Sequence, residues 1–505
     1  MAQPANLVDA KLYLSRLHEM REHGGQPSTV GLDDRTVSRF LSQDESLGIA
    51  INQAHALFLS LKECRPDLLS LGESQQVAAV QQSIVNFYAI DAVNPYVSAG
   101  AKGPWIVSLK GAVIYDCGGY GMLGFGHAPD HVLEAMNQPH VMANIMTPNV
   151  SQMTFIEGLR AEVGHTRSDD DQPYSHFICL NSGSESVTIA SRLADVNAKN
   201  LTAEGGCYAG RPVRGLSLRG SFHGRTDRPA RYSDSTLGAY RKYLRSFEDK
   251  DYLLTVEPNN IAELEAVFER AKDEYFLIEA MFMEPVMGEG NPGQAITPEF
   301  YARARELTLE HGSLLLVDSI QAGLRAHGVL SIVDYPGFQD LPAPDLETYS
   351  KALNAGQYPL SVLAMTERAA ELYRTGIYGN TMTSNPRALD VAVAVMSQLT
   401  PELRKNIVDR GNELVEKLTR LADELDGAIT KVQGTGLLLS CELHERYKCY
   451  GGGSTEEYLR KQGLGVIHGG VRSLRYTPTF TMTSAEVDLV VERTRDALLH
   501  GPVAA

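Results

Sequence analysis

The chain lacks most of what would mark a secreted, metal-stapled or membrane-embedded protein. Its six cysteines (Cys64, Cys117, Cys179, Cys207, Cys441 and Cys449) are scattered, with no CxxC pair. Neither a disulfide framework nor a zinc site is therefore expected. His127 and His131 are four apart but straddle Pro129 with no third ligand nearby, so no metal is expected there. No stretch reaches the roughly 18 consecutive apolar residues that cross a membrane. The opening MAQPANLVDAKLYLSRLHEM has no basic start followed by an apolar run, so a secretory leader is not expected and a cytoplasmic location is. Positive charge is also short: 46 Lys and Arg face 62 Asp and Glu, for a net charge of −16. That balance argues against a nucleic-acid surface, although it leaves room for a local basic pocket that holds a small anion.

What is present is an ordinary globular composition, 43% hydrophobic and 21% charged over 505 residues, long enough for several domains around large cores. Residues 1–104 read as a helical N-terminal extension, with apolar residues at helical spacing in HALFLSLKEC and QQVAAVQQSIVNFYAI. WIVSLKGAVIYDCGG reads as two strands around a turn. From 130 to 395 short apolar runs (FICL, YFLIEAMFMEP, SLLLVDS and SVLAM) alternate with helical stretches such as PEFYARARELTLEHG. The runs look like strands buried on both faces, and the alternation predicts a large α/β domain with a mainly parallel sheet. Functional residues are then expected at the carboxyl ends of its strands. Residues 105–129 together with 396–505 are expected to form a smaller α+β domain.

Four motifs carry chemistry. In FICLNSGSES a strand runs into the small-residue turn Asn181-Ser182-Gly183-Ser184 and then a helix, which aims free N–H groups at an anion. In GSFHGRT, Phe222 could cover a flat ring and Arg225 could fork onto a carboxylate. In LLLVDSIQAG, Asp318 ends a buried strand, where a carboxylate needs a cationic or donor partner. In ETYSKALNAG, Lys351 follows another strand; a partly desolvated lysine there could attack an aldehyde. Each motif alone has a structural explanation as a cap, a core aromatic or a surface charge.

Together they resemble the class III aminotransferases of the ornithine/4-aminobutyrate type. The resemblance runs from about 105 to 495 and is carried by DCGGYGMLGFGH, NSGSES, FHGRT, EPVMGEG, VDSIQAG, SKALNAG, TMTSNP and LRYTPTF. It implies fold type I of the PLP-dependent transferases. Pyridoxal 5′-phosphate (PLP) would be carried by Lys351 as a Schiff base, with Asp318 on the pyridine nitrogen and Phe222 stacked on the ring. Ser182, Gly183 and Ser184 would hold the phosphate, His223 would lie against the cofactor, and Gln321 would lie near its phenolic oxygen. Thr381 would reach the phosphate of a neighbouring subunit's cofactor, which implies a homodimer. Arg225 and Arg475 would take substrate carboxylates, with Glu289 gating Arg475. The expected activity is ping-pong transfer of an amino group from an (ω-)amino acid or amine to a 2-oxo acid, 2-oxoglutarate in particular.

The chain also departs from the family pattern. Ser319 stands where the family usually has Glu, Ala326 where it has Arg, and Thr383-Ser384 where it has Gly-Gly. These departures keep a PLP-dependent decarboxylase, racemase, aminomutase or lyase on the same fold as the alternative.

Overall fold

The computed structural model describes residues 7–168 and 172–503; the first six residues of the expected extension lie outside the described residues. The chain divides into two compact units. One holds 131–411 and 433–438; the other holds the residues up to Asp130 with 412–432 and 439–505.

The larger unit is built on a seven-stranded sheet. Its strands in chain order are β1 (His176–Leu180), β2 (Val213–Leu218), β3 (Leu253–Val256), β4 (Leu277–Met283), β5 (Leu314–Asp318), β6 (Leu346–Tyr349) and β7 (Ser361–Met365). They lie in the order β1-β7-β6-β5-β4-β2-β3. Only β7 is reversed, pairing antiparallel with β1 and β6, while the other pairs are parallel. β4, β5, β6 and β7 are buried along their whole length. That is what continuous Leu/Val/Met-rich runs require when helices cover both faces. β1 is different: it is an edge strand exposed at His176 and fully buried only at Cys179 and Leu180. The two-sided burial expected of FICL does not hold, because the sheet has no strand beyond it.

Helix Pro298–His311 illustrates how local sequence sets an element. Thr297 caps its start, Pro298 supplies the first helical position, and Gly312 closes it in the left-handed conformation at φ +75°.

In the smaller unit the N-terminal helices are not a separate extension. Trp105 Nε1 donates to Asp44 Oδ2 at 2.6 Å and Ala101 N to Gln53 Oε1 at 3.2 Å. A Cβ on Gly100 would meet the Ala50 carbonyl oxygen at 2.4 Å, so helix Glu45–Cys64 lies directly on strand Ser98–Lys102. The expected helix over QQVAAVQQSIVNFYAI also stops early, at Val80. Beyond it Ser83 takes a left-handed φ of +68°, and Ile84, Val85 and Phe87 are exposed. The apolar residues are present but face no core, and periodicity alone cannot reveal that.

Candidate functional site

A cavity of about 190 Å³ opens at the carboxyl ends of the parallel strands. It is lined by Ser182, Gly183 and Ser184 after β1, Phe222 and His223 after β2, and Glu284 after β4. Asp318 at the end of β5, Gln321, and Ser350-Lys351 after β6 complete the wall. Parallel strands deliver their carboxyl ends to one edge, so residues up to 169 positions apart meet there.

Helix Gly183–Thr202 begins at the cavity with Ser182 as its cap. The Glu185 carboxylate accepts the Asn181 and Ser182 N–H groups at 2.8 and 3.0 Å, which fixes the turn. Its other oxygen accepts from Tyr378 Oη and Asn380 Nδ2 at 2.9 and 2.8 Å. The helix end therefore presents its positive pole and first N–H groups to the cavity, an arrangement suited to a phosphate. Gly224, at φ +115°, closes the other side; a Cβ there would lie 2.4 Å from Ser184 Oγ.

Asp318 is 4% exposed, and all its observed partners are donors. His223 Nδ1 lies 2.9 Å from Oδ2, Thr348 Oγ1 donates to Oδ1 at 3.0 Å, and Ile320 N does so at 3.2 Å. Three groups placed to donate satisfy the carboxylate oxygens in a buried place, and a cationic group facing the cavity would be a further partner. His223 is also buried, and its Nε2 meets no protein hydrogen-bond partner. Lys351 adopts a left-handed φ of +45°, and its Nζ reaches Gln321 Oε1 at 3.4 Å. A non-glycine residue there is strained by about 1–2 kcal/mol, which the surrounding packing must hold. Gly288 leaves the room that Gln321 occupies, since a Cβ there would sit 2.1 Å from Oε1.

Glu284 was not singled out in the sequence, although it follows a buried run of seven residues just as Asp318 follows one of four. It accepts Phe222 N at 2.9 Å and Gly288 N at 2.8 Å, bridging the two loops. Burial pushes its pKa up to about 7, against the opposing pull of His223 and the two N–H groups. Burial likewise lifts Glu486 in the smaller unit to about 7. For each, the folded value lies above the ordinary 4.5, so the folded state holds its proton where the unfolded chain has lost it. Their contribution is complete below pH 4.5 and is lost as pH rises through 7. Glu284→Gln is expected to remove part of this decline in unfolding free energy between pH 4.5 and 7, measured by denaturant titration at each pH.

The structure thus brings Ser182, Gly183, Ser184, Phe222, His223, Asp318, Gln321 and Lys351 to one cavity. Four other expected residues are placed elsewhere or differently. Arg225 is exposed, with its guanidinium 5.3 Å from the Phe222 ring centroid. Thr381 is exposed and lines a separate depression with Met142, Ile145 and Met382. Glu289 is half-buried, two positions before Asn291, and does not line the cavity. Arg475 belongs to the smaller unit, is 1% exposed, and lies 5.5 Å from the Tyr120 ring centroid.

Two of the departures have structural explanations. Ser319 donates at 2.5 Å to Glu347, so this spot keeps a carboxylate, supplied by the adjacent strand. The arginine missing at Ala326 stands one position earlier: Arg325 is fully buried and donates to the Leu437 carbonyl at 3.1 Å.

Five features of the cavity match PLP group by group: an anion cradle, a buried carboxylate with a histidine, an aromatic face, a glutamine and a strained lysine. An enzyme using that cofactor on fold type I is what fold and cavity define. Residues 88–498 match the family model described as "Aminotransferase class-III", and the chain belongs to that family. It is a PLP-dependent transaminase acting on an amino donor and a 2-oxo acid. It is 28% identical to an acetylornithine aminotransferase of Neisseria meningitidis, covering 80% of this chain and 94% of that one. An ornithine aminotransferase of Staphylococcus epidermidis is 26% identical, with 79% and 93% covered. The crystal structure of ornithine aminotransferase from Toxoplasma gondii superposes with a TM-score of 0.71 at 21% identity, over 87% of this chain and 98% of that one. Among the described residues, no helix is long and apolar enough to cross a membrane.

Proposed function

We propose that the cavity around Lys351 and Asp318 is the transamination centre, and that it moves the amino group of an ω-amino acid to 2-oxoglutarate. The convergence of Lys351, Asp318 and the Ser182–Ser184 helix start on one cavity carries this reading. Bound PLP supplies an aldehyde that condenses with amines and a ring that accepts the electrons released at the substrate carbon. Lys351 Nζ holds the cofactor and, once released by the incoming amine, takes and returns the proton of the substrate carbon. Asp318, backed by His223, keeps a proton on the ring nitrogen. The N–H groups of Gly183 and Ser184, with the Ser184 hydroxyl, hold the phosphate. Phe222 would cover the ring, and Gln321 would lie near its phenolic oxygen.

The ω-amino donor follows from the two arginines and from the relatives, whose names specify acetylornithine and ornithine. Arg475 takes the α-carboxylate of glutamate and Arg225 a second carboxylate, with Glu289 as the gate on Arg475. Arg475→Lys is expected to raise KM for glutamate by at least ten-fold, about 1.4 kcal/mol, while leaving kcat with the ω-amino donor within a few-fold. Steady-state kinetics with each donor checks this, and an unchanged glutamate KM removes Arg475 from that role.

The reading includes a homodimer. Val141, Ile145, Met146, Val150, Met153 and Met382 are 45–80% exposed, and Thr381 lies in the depression lined by Ile145 and Met382. Large apolar side chains gathered at one surface mark an interaction face. Met146→Lys is expected to shift sedimentation equilibrium toward monomer and to lower PLP retention, since Thr381 would no longer reach the partner's site. We also place the protein in the cytoplasm, where its cysteines stay reduced.

A further inference from the structure

Glu347 is 0% exposed on β6, next to Thr348 and four residues before Lys351. Its carboxylate is surrounded by five donors. Oε1 accepts Ser319 Oγ at 2.5 Å and Ile332 N at 2.9 Å. Oε2 accepts Ser331 Oγ at 2.5 Å, Tyr174 Oη at 2.7 Å and Tyr349 Oη at 2.9 Å. Burial raises its pKa, and the Ser319, Ser331 and Tyr174 hydroxyls and Ile332 N–H pull it back down. A carboxylate in such a place is costly: packing alone would be served better by an apolar side chain of similar volume. Its partners show what it holds.

Ser319 opens the loop 319–332 and Ser331-Ile332 closes it, and both ends are tied to this one carboxylate. The loop carries Ile320 and Gln321, two walls of the cofactor cavity. At the strand ends the ties are reciprocal. Ser319 of the β5 side donates to Glu347, Thr348 of β6 donates to Asp318, and Ser319 N donates to the Thr348 carbonyl at 3.1 Å. The dipeptides Asp318-Ser319 and Glu347-Thr348 are thereby locked in one register, side chain to side chain.

We propose that Glu347 is a positioning residue for the cofactor. It fixes the orientation of Asp318 through the Ser319 tie, and it fixes Gln321 by clamping both ends of the loop that carries it. The proposal rests on the assignment of Asp318 to the cofactor's ring nitrogen.

The test uses the PLP-loaded enzyme with Glu347→Gln and Ser319→Ala, the second removing one tie and leaving the buried carboxylate with four donors. Activity is normalised to bound PLP, and the pH midpoint of the bound cofactor's visible absorption is followed alongside thermal unfolding. Both variants are expected to lose at least ten-fold in kcat per bound cofactor, with KM for the donor within two-fold, and to shift the spectral midpoint. The double variant Ser319→Glu/Glu347→Ser exchanges the two ends of the shortest tie and should recover part of the kcat lost by Glu347→Gln. If Ser319→Ala, and Glu347→Gln where it folds, keep wild-type kcat per bound cofactor and midpoint, whatever their melting temperatures, Glu347 serves the core alone and the proposal fails. Asp318→Asn, run in parallel, separates the two levels: if it leaves kcat intact, the assignment beneath the proposal is what has failed.

Discussion

Lys351→Ala is expected to abolish amino transfer and to release the cofactor from covalent attachment. In the proposed mechanism Lys351 is the nucleophile that holds PLP and the base that moves the substrate proton, and among the described residues no other lysine lines the cavity. Removing a positioned acid–base group costs roughly 10²–10⁴-fold, and losing the attachment step adds to that. The expected loss is therefore on the order of 10⁴-fold or more in kcat/KM. Borohydride reduction gives an independent readout. In the wild-type enzyme it should fix the cofactor to a single peptide containing Lys351, and in the variant to none. The alanine inherits the left-handed φ of +45°, so stability should change little, and circular dichroism should show an intact fold. Undiminished turnover in the variant would exclude the mechanism.

Asp318→Asn should have the second-largest effect, on the order of a thousand-fold in kcat, about 4 kcal/mol. The substitution keeps the shape and removes the charge. It also disturbs the pair with His223, since an amide of unchanged size presents one acceptor oxygen where the carboxylate presented two acceptor oxygens to three partner groups. The sign of the pH effect is specific. Without the carboxylate, the ring nitrogen must find its proton from solution, so the residual activity of the variant should rise as pH falls. The wild-type enzyme should be flat over the same range. A small loss with no such slope would mean that Asp318 is a structural cap.

Much of this site was legible in the sequence because its residues share one signature: a strand-like segment, then a residue with chemistry. Asp318 after LLLV, Lys351 after LETYS and Asn181-Ser182-Gly183-Ser184 after FICL all carry it. Glu284 carries it too, after LIEAMFM, although within EPVMGEG the resemblance points to Glu289 further along. Glu347 could not be found this way. It sits inside a strand, where a lone charge gives no clue to its partners, and those partners lie as far off as Tyr174, 173 positions away. The reversal of β7 was equally hidden: SVLAM is buried along its whole length and reads alike in either direction, and only its pairing with β1 and β6 sets its sense. The exposed run after Val80 shows the opposite limit, an apolar pattern with no core behind it.

The central claim is that the amino group passes through the cofactor between two separate half-reactions. Its most direct test is to mix the PLP-loaded enzyme with a single amino donor (glutamate, ornithine, N-acetylornithine or 4-aminobutyrate) in the absence of any oxo acid, and to follow the visible absorption. The account predicts full conversion to the aminated cofactor with one equivalent of oxo product, and return of the original spectrum when 2-oxoglutarate is added. A spectrum that is perturbed but never converts, while carbon dioxide, a racemised amino acid or an eliminated product appears, would contradict it and make the enzyme a decarboxylase, racemase or lyase.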